Sequence, residues 1–342
     1  MKISVVVPTR KRPDMLYSAL SSIQNQSRLD LVAELLVSEN SEDGRSEKVC
    51  ASMQGLPIRF CRQSPALSIV GHFQWLVNQA SSEWVAWLAD DDMWGRYHLE
   101  EAVRLLEKHP AAVAYAGESV TVLNDSRSAI FGFRENVSSL LGEAPTTFMP
   151  YWVWTQEEML INSLVHTPLN VWAMVFRKSA LLEALESLVA SDAGYESDRL
   201  FLWKLASFGP VLVGREVSMF YRTHENNTWL EVWRKDQAEQ NRMTQQYIDM
   251  IIDDAERLGI PARELWFQAW QSLDDSARKR IQKKTGRASI EQIKRRWTDA
   301  ALALAADQDE KNDQRVSWKS SIRPWIPPAF LGLLRVLYQP IH

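Results

Sequence analysis

The feature that most constrains this chain is a series of short apolar runs, each followed by a polar turn or a helical stretch. They are "ISVVV" (3–7), "ELLVS" (34–38), "IRFC" (58–61), "WVAWL" (84–88) and "AAVAYAG" (111–117). The first is continuous and β-branched, the pattern of a strand buried on both faces. Leu16, Ala19, Leu20 and Ile23 recur at helical spacing behind Pro13, a residue suited to a first helical turn. Residues 69–80 read as a second helix, and Leu99, Ala102, Val103 and Leu106 mark a third. Strand and helix in alternation imply an α/β domain with a mostly parallel sheet flanked by helices. The pattern breaks down from 118 to about 170, where Gly, Pro, Ser and aromatics mix without a period, as in long functional loops. Helices are expected again at 178–189 and 198–209, with short strands at "VLVG" and "VSMFYRTH". Beyond about 231 the chain is charged and helical in pattern. This gives a catalytic-type domain over 1–230 and a helical C-terminal region over 231–342.

Composition narrows the function. At 342 residues the chain has room for two domains. With 46% hydrophobic and 24% charged residues it is globular, and a net charge of −4 offers no general attraction for nucleic acid. Its two cysteines, Cys50 and Cys61, form no CxxC or Cys/His cluster, which argues against a zinc site or a disulfide framework and fits a reducing compartment. The opening "MKISVVVPTRKRP" reads as a strand and a turn and not as a leader, and no run of about 18 apolar residues is present to span a bilayer.

Ligands of open α/β sheets bind beyond the carboxyl ends of the strands. Three polar clusters fall there: "PTRKR", "SENSEDG" and "ADDDMW". The third sets Asp90, Asp91 and Asp92 directly after an apolar strand. Side chains of an extended segment alternate between faces, so without a turn at most two of these acids share a focus. A divalent cation held by one or two carboxylates, with phosphate and water completing its shell, relieves the repulsion. A solvated Asp-rich turn is the plain alternative.

Five segments in order resemble family 2 glycosyltransferases of the GT-A fold: "VVVPTRKRPDMLYSALSSIQNQ", "LLVSENSEDG", "SIVGHFQWLVNQASSEWVAWLADDDMW", "YESDRLFLWKLASFG" and "YRTHENN". The resemblance covers about residues 1–228. It implies that Pro8, Thr9, Arg10 and Arg12 line the nucleotide, that Glu39 stands where the family has an Asp bonding the base, and that Asp90 lies near the ribose. It makes Asp91 the leading metal ligand, with Asp92 extending the run and His224 completing the metal or diphosphate site. Many members carry Asp where this chain has Ala89. The catalytic base falls on Asp198, with Glu196 as its rival. Arg222, Asn227, Trp152 and Trp154 are diphosphate or acceptor contacts by the same reading. The activity implied is inverting, metal-dependent (Mn²⁺ or Mg²⁺) transfer of a sugar from a nucleotide-sugar, UDP favoured, to a hydroxyl of a glycan or lipid-linked saccharide.

Two other classes compete. A nucleotidyltransferase uses a similar sheet, but "PTRKRP" lacks the glycine-rich loop that such enzymes carry. A non-catalytic nucleotide-sugar-binding module would dispense with the acids, which are present. The tail points two ways. Nine Lys/Arg between Arg278 and Arg296 face a single acid, Glu291, and "WKSSIRPWIPPAFLGLLRVLYQP" mixes interfacial aromatics with Lys319, Arg323 and Arg335. Such a segment suits peripheral contact with an anionic membrane surface, at the cytoplasmic leaflet near a lipid-linked acceptor. It equally suits packing on the catalytic domain. A homo-oligomer is compatible with either.

Overall fold

Alternating residues of the first strand face two different cores. The structure, a computed structural model, describes residues 1–123, 129–132, 151–165, 169–190, 197–224, 227 and 237–265. In β1 (Ile3–Thr9), Ile3, Val5 and Val7 join one core with Leu16, Ala19, Leu20 and Ile23 of α1 (Pro13–Gln24), while Val6 is buried on the opposite face. Next come β2 (Val32–Glu39), α2 (Arg45–Ser52), β3 (Ile58–Arg62), α3 (Ile69–Gln79) and β4 (Trp84–Trp87). The strands β3, β2, β1 and β4 lie side by side, all parallel. β4, most of β1 and the second half of β2 are buried on both faces, while β3, at the edge, has no fully buried residue.

The second half of the sheet is mixed. It comprises β5 (Met93–Trp94), α4 (His98–Lys108), β6 (Ala114–Leu123), β7 (Ala129–Gly132), β8 (Tyr151–Trp154), α5 (Gln156–Val165) and β9 (Met174–Arg177), the last entered through a 3-10 turn at Val171–Ala173. α6 (Lys178–Ala190), α7 (Asp198–Ala206) and β10 (Val211–Thr223) follow, then α8 (Gln237–Arg257). The strand order is β3-β2-β1-β4-β9-β6-β10-β5, with β7 on β6 and β8 on β10. β9 runs antiparallel to both neighbours, whereas β6 and β10 are parallel. The two short strands expected between 211 and 224 form one strand, bent by register shifts at Val217 and Met219. Gly95 allows β5 to close against this bend: a Cβ there would lie 2.2 Å from the Val217 carbonyl oxygen.

Helices α2 and α5 and strand β9 lie where the sequence pattern gave no element. α8 falls in the stretch read as helical; residues 266–342, including the basic tail, lie outside the described residues. Among the described residues, no helix is long and apolar enough to cross a membrane. Cys50 is buried, which pushes its thiol up to about 12, and neither cysteine forms a disulfide.

Candidate active site

A turn answers the problem of three adjacent acids. After β4 the chain bends, with the Asp92 amide donating to the Ala89 carbonyl at 3.2 Å. All three aspartates thereby face inward, and all are at least nine-tenths buried. Each has its own partners. Asp90 accepts from the Thr9 hydroxyl at 2.7 Å, the Arg10 amide at 3.2 Å and Arg12 Nη1 at 3.2 Å. Asp91 Oδ2 accepts from Arg12 Nη1 and meets His224 Nε2 at 3.1 Å. Asp92 Oδ1 accepts the Arg222 amide at 2.9 Å, while its Oδ2 is buried without a partner.

These surroundings split the charge states. Burial, then the neighbouring Asp91 charge, push Asp90 up to about 6. The same two causes raise Asp92 well above the usual carboxylate range. Burial also works against ionised Asp91, but the His224 hydrogen bond and the Arg12 charge outweigh it and hold its carboxyl below the usual value. The charge of the cluster is thus concentrated on Asp91. Arg12 is the counter-charge: burial disfavours its charged form, and Asp91 and Asp90 more than offset that.

Glu39, the last residue of β2, is fully buried. It accepts the Lys11 amide at 3.2 Å, the Ser41 hydroxyl at 2.5 Å and the Ser46 hydroxyl at 2.6 Å. Lys11 reaches it by adopting φ 60°, the left-handed region that costs a non-glycine residue about 1 kcal/mol. The carboxylate expected to read the base therefore braces two loops, its oxygens directed at protein donors. Pro8 lies between Val7 and Thr9 near the end of β1, at the mouth of the same turn.

The "RTHENN" spacing also acquires a physical meaning. Arg222 is 3% exposed. Its Nε donates to the Asp91 carbonyl at 2.5 Å, and its Nη2 donates to the carbonyls of Met15 at 3.0 Å and Asp90 at 3.3 Å. It is a brace for the acid turn. Asn227 donates to the Arg222 carbonyl at 3.0 Å and accepts the His224 amide at 2.5 Å, closing the bend that aims His224 at Asp91. Arg, His and Asn at this spacing thus brace, reach and clamp.

Asp198 opens α7 and is half-buried. It lies close enough to Tyr221 that its charge helps raise that hydroxyl, after burial, Asp92 and Asp91. Tyr221, which the sequence reading did not single out, is the group on which the charges of both the acid turn and Asp198 bear. Glu196 lies outside the described residues. Trp152 and Trp154 are not brought to the cluster: they pair with Val213 and Val211, at the far end of β10 from Arg222.

Among the described residues, no group of three or more His, Cys, Asp and Glu side chains is arranged to hold a metal. The donors that do converge, the Asp91 carboxylate and the His224 imidazole, suit Mn²⁺ or Mg²⁺ in chemical type if phosphate and water supply the other positions. The orphaned Asp92 oxygen is a further anionic donor close by.

Residues 4–128 match the model of glycosyl transferase family 2. Over 94 residues the chain is 36% identical to the GalNAc(5)-diNAcBac-PP-undecaprenol beta-1,3-glucosyltransferase of Campylobacter jejuni. That match takes in 27% of this chain and 30% of the relative's length. In fold the chain is similar to residues 1–349 of S. aureus TarS, solved in complex with UDP-GlcNAc. The TM-score is 0.50 at 14% identity, over 81% of this chain and 83% of that one. The α/β sheet flanked by helices expected from the sequence is therefore the GT-A arrangement.

Proposed function

From the match of residues 4–128 to the glycosyl transferase family 2 model, we propose that the protein transfers a sugar from a nucleoside-diphosphate sugar to an acceptor hydroxyl, with inversion. The observation that carries this reading is the buried acid turn, where Asp91 holds the negative charge and faces both Arg12 and His224. The nucleoside enters between the β1–α1 turn and the loop braced by Glu39, beside Pro8, Thr9 and Arg10. Arg12 and His224 face the diphosphate. A UDP-sugar donor is supported by the bound ligand named for TarS. A lipid-linked saccharide acceptor is supported by the name of the Campylobacter relative.

In the reaction, the acceptor oxygen attacks the anomeric carbon as the bond to the β-phosphate oxygen breaks. Asp198 takes the acceptor proton, so no carboxylate nucleophile is required. Arg12 places positive charge beside the departing diphosphate. A bound Mn²⁺ or Mg²⁺ ion, held by Asp91 and His224 with Asp92 beside them, would neutralise charge on the diphosphate.

The test is release of nucleoside diphosphate from UDP-sugars with and without EDTA, in wild type and Asp91→Ala. Metal-dependent release in the wild type, with loss of Mn²⁺–UDP binding in the folded variant, is the expected result. Unchanged calorimetric affinity of Asp91→Ala for Mn²⁺–UDP would remove Asp91 from the site.

A further inference from the structure

An aromatic cluster beside the acid turn does more than pack. Trp87, at the end of β4, meets Phe73 of α3 at 5.4 Å, Phe176 of β9 at 4.7 Å, Phe201 of α7 at 5.5 Å and Trp172 at 5.7 Å between ring centroids. Phe176 and Phe201 are buried, whereas Phe73 and Trp172 are only half-buried and lie 5.1 Å apart. A ring pair left partly open, backed by a buried aromatic floor, is a rigid apolar face.

Its position is fixed by the backbone of the 3-10 turn. The Trp94 indole donates to the Trp172 carbonyl at 3.0 Å, and the Trp87 indole donates to the Val171 carbonyl. These donors lie on either side of Asp90–Asp92 in sequence, so the turn is tied to the acid loop at two points. Asn170 caps it by accepting the Trp172 amide at 3.1 Å. On the other side, Phe201 stands three residues after Asp198, on the same face of α7 one turn along. The ring of Trp87 therefore links Trp172, on the turn tied to the acid loop, to Phe201 on the helix that carries Asp198. Among the described residues, the indole N–H of Trp172 meets no acceptor, unlike those of Trp87, Trp94 and Trp203.

We infer that Trp172, with Phe73 beside it, is the stacking platform for the acceptor's pyranose ring. The inference rests on the glycosyl-transfer reading. One face of a pyranose is a patch of axial C–H groups, which complements the negative face of an indole, and its rim is hydroxyls, which the free indole N–H can meet. The acceptor is the sugar assigned here because the platform is joined through Trp87 and Phe201 to the helix opened by Asp198, which takes the acceptor proton in the proposed reaction. The nucleoside end lies at the β1–α1 turn.

Saturation-transfer NMR tests this with methyl β-glycosides of glucose, galactose and N-acetylgalactosamine, each with wild type, Trp172→Ala, Trp172→Leu and Trp172→Phe in saturating UDP and Mn²⁺. The expected result is a ring C–H signal in the wild type for at least one glycoside. It falls about tenfold in the Ala and Leu variants and stays within about twofold in Phe, a loss of the size that stacked aromatic pairs contribute. UDP affinity stays within about twofold throughout, which certifies the fold; if the Ala variant loses it, the Leu variant decides. No glycoside signal in a UDP-binding wild type, or an equal signal in the Ala and Leu variants, overturns the platform. So does loss confined to the gain of UDP-glucose over UDP, because the ring would then hold the donor sugar. A wild type that binds no UDP overturns the transfer reading instead, and the glycoside spectra without nucleotide then decide the platform separately.

Discussion

The two halves of the sheet are built on different logics. Across β3-β2-β1-β4 every pairing is parallel, and the loops that matter follow their strands directly. Thr9 and Arg12 meet Asp90 from the ends of adjacent strands. Across β9-β6-β10-β5 the strands run both ways, and the contacts come from far along the chain. Arg222 reaches back to the Asp90–Asp92 turn, and the 3-10 turn before β9 is tied to Trp87 and Trp94. The first half builds its side of the acid turn by local connection. The second completes it by long-range bracing and, on the proposed reading, also delivers the proton acceptor.

If the chemistry is shared in this way, Asp198→Asn should leave UDP binding to the first half intact and lower transfer by about 10²–10⁴, the usual worth of a general base. Near-normal turnover by stopped assay would move the base to Glu196 or elsewhere. The brace should act on both halves. Arg222→Ala strips three carbonyls of a buried cationic donor beside the acids, and we expect a loss of about 3 kcal/mol in urea unfolding. A loss below about 1 kcal/mol would mean the halves hold together without it.

The two buried histidines among the described residues sharpen the contrast. His72, in the first half, bonds Ser38 at 2.8 Å, and burial lowers it to about 4. His98, at the start of α4 against Trp94, has neither ring nitrogen partnered, and burial lowers it to about 3. With its folded pKa below the unfolded value, His98 contributes stability that is complete above about pH 6.5 and is lost as pH falls toward 3. Unfolded chains then bind the extra proton. Replacing it by Phe should reduce the stability lost between pH 7 and 5 by about 2 kcal/mol, read from urea midpoints at each pH. Parallel curves for the two proteins would contradict this. The smallest effect belongs to the β1–α1 turn. Lys11→Gly removes the side-chain penalty at φ 60° and should stabilise the fold by up to about 1 kcal/mol in thermal melts. A lower melting temperature would assign Lys11 a contact that outweighs the strain.

The first half was the legible one. Strands buried on both faces declare themselves as apolar runs, and the acids stood out because only Ala89 separates them from "WVAWL". α2 did not declare itself, because only Ser46 and Cys50 of its residues are buried and its outer face is charged. β9 is four residues long and emerges from an aperiodic stretch, so nothing in the sequence announced a reversed strand between β4 and β6. Motif order brought Arg222, His224 and Asp198 to attention without their directions. That Arg222 points into carbonyls, and that Glu39 spends its oxygens on Lys11, Ser41 and Ser46, depends on side-chain geometry that spacing does not encode. Trp172 is one tryptophan among 15, and its place follows only from the indoles that hold its turn.

A strand that runs against its neighbours enters where they leave. Because β9 is reversed, its first residue, and not its last, stands level with the end of β4, and it pairs with Ala116 near the start of β6. The 3-10 turn that leads into β9 therefore sits beside the turn that follows β4, within reach of the indoles of Trp87 and Trp94. Two kinds of restraint thus meet at one edge: β1 to β4 are held by short-range connections, and the approach to β9 by two indole hydrogen bonds thrown from either side of the acid turn.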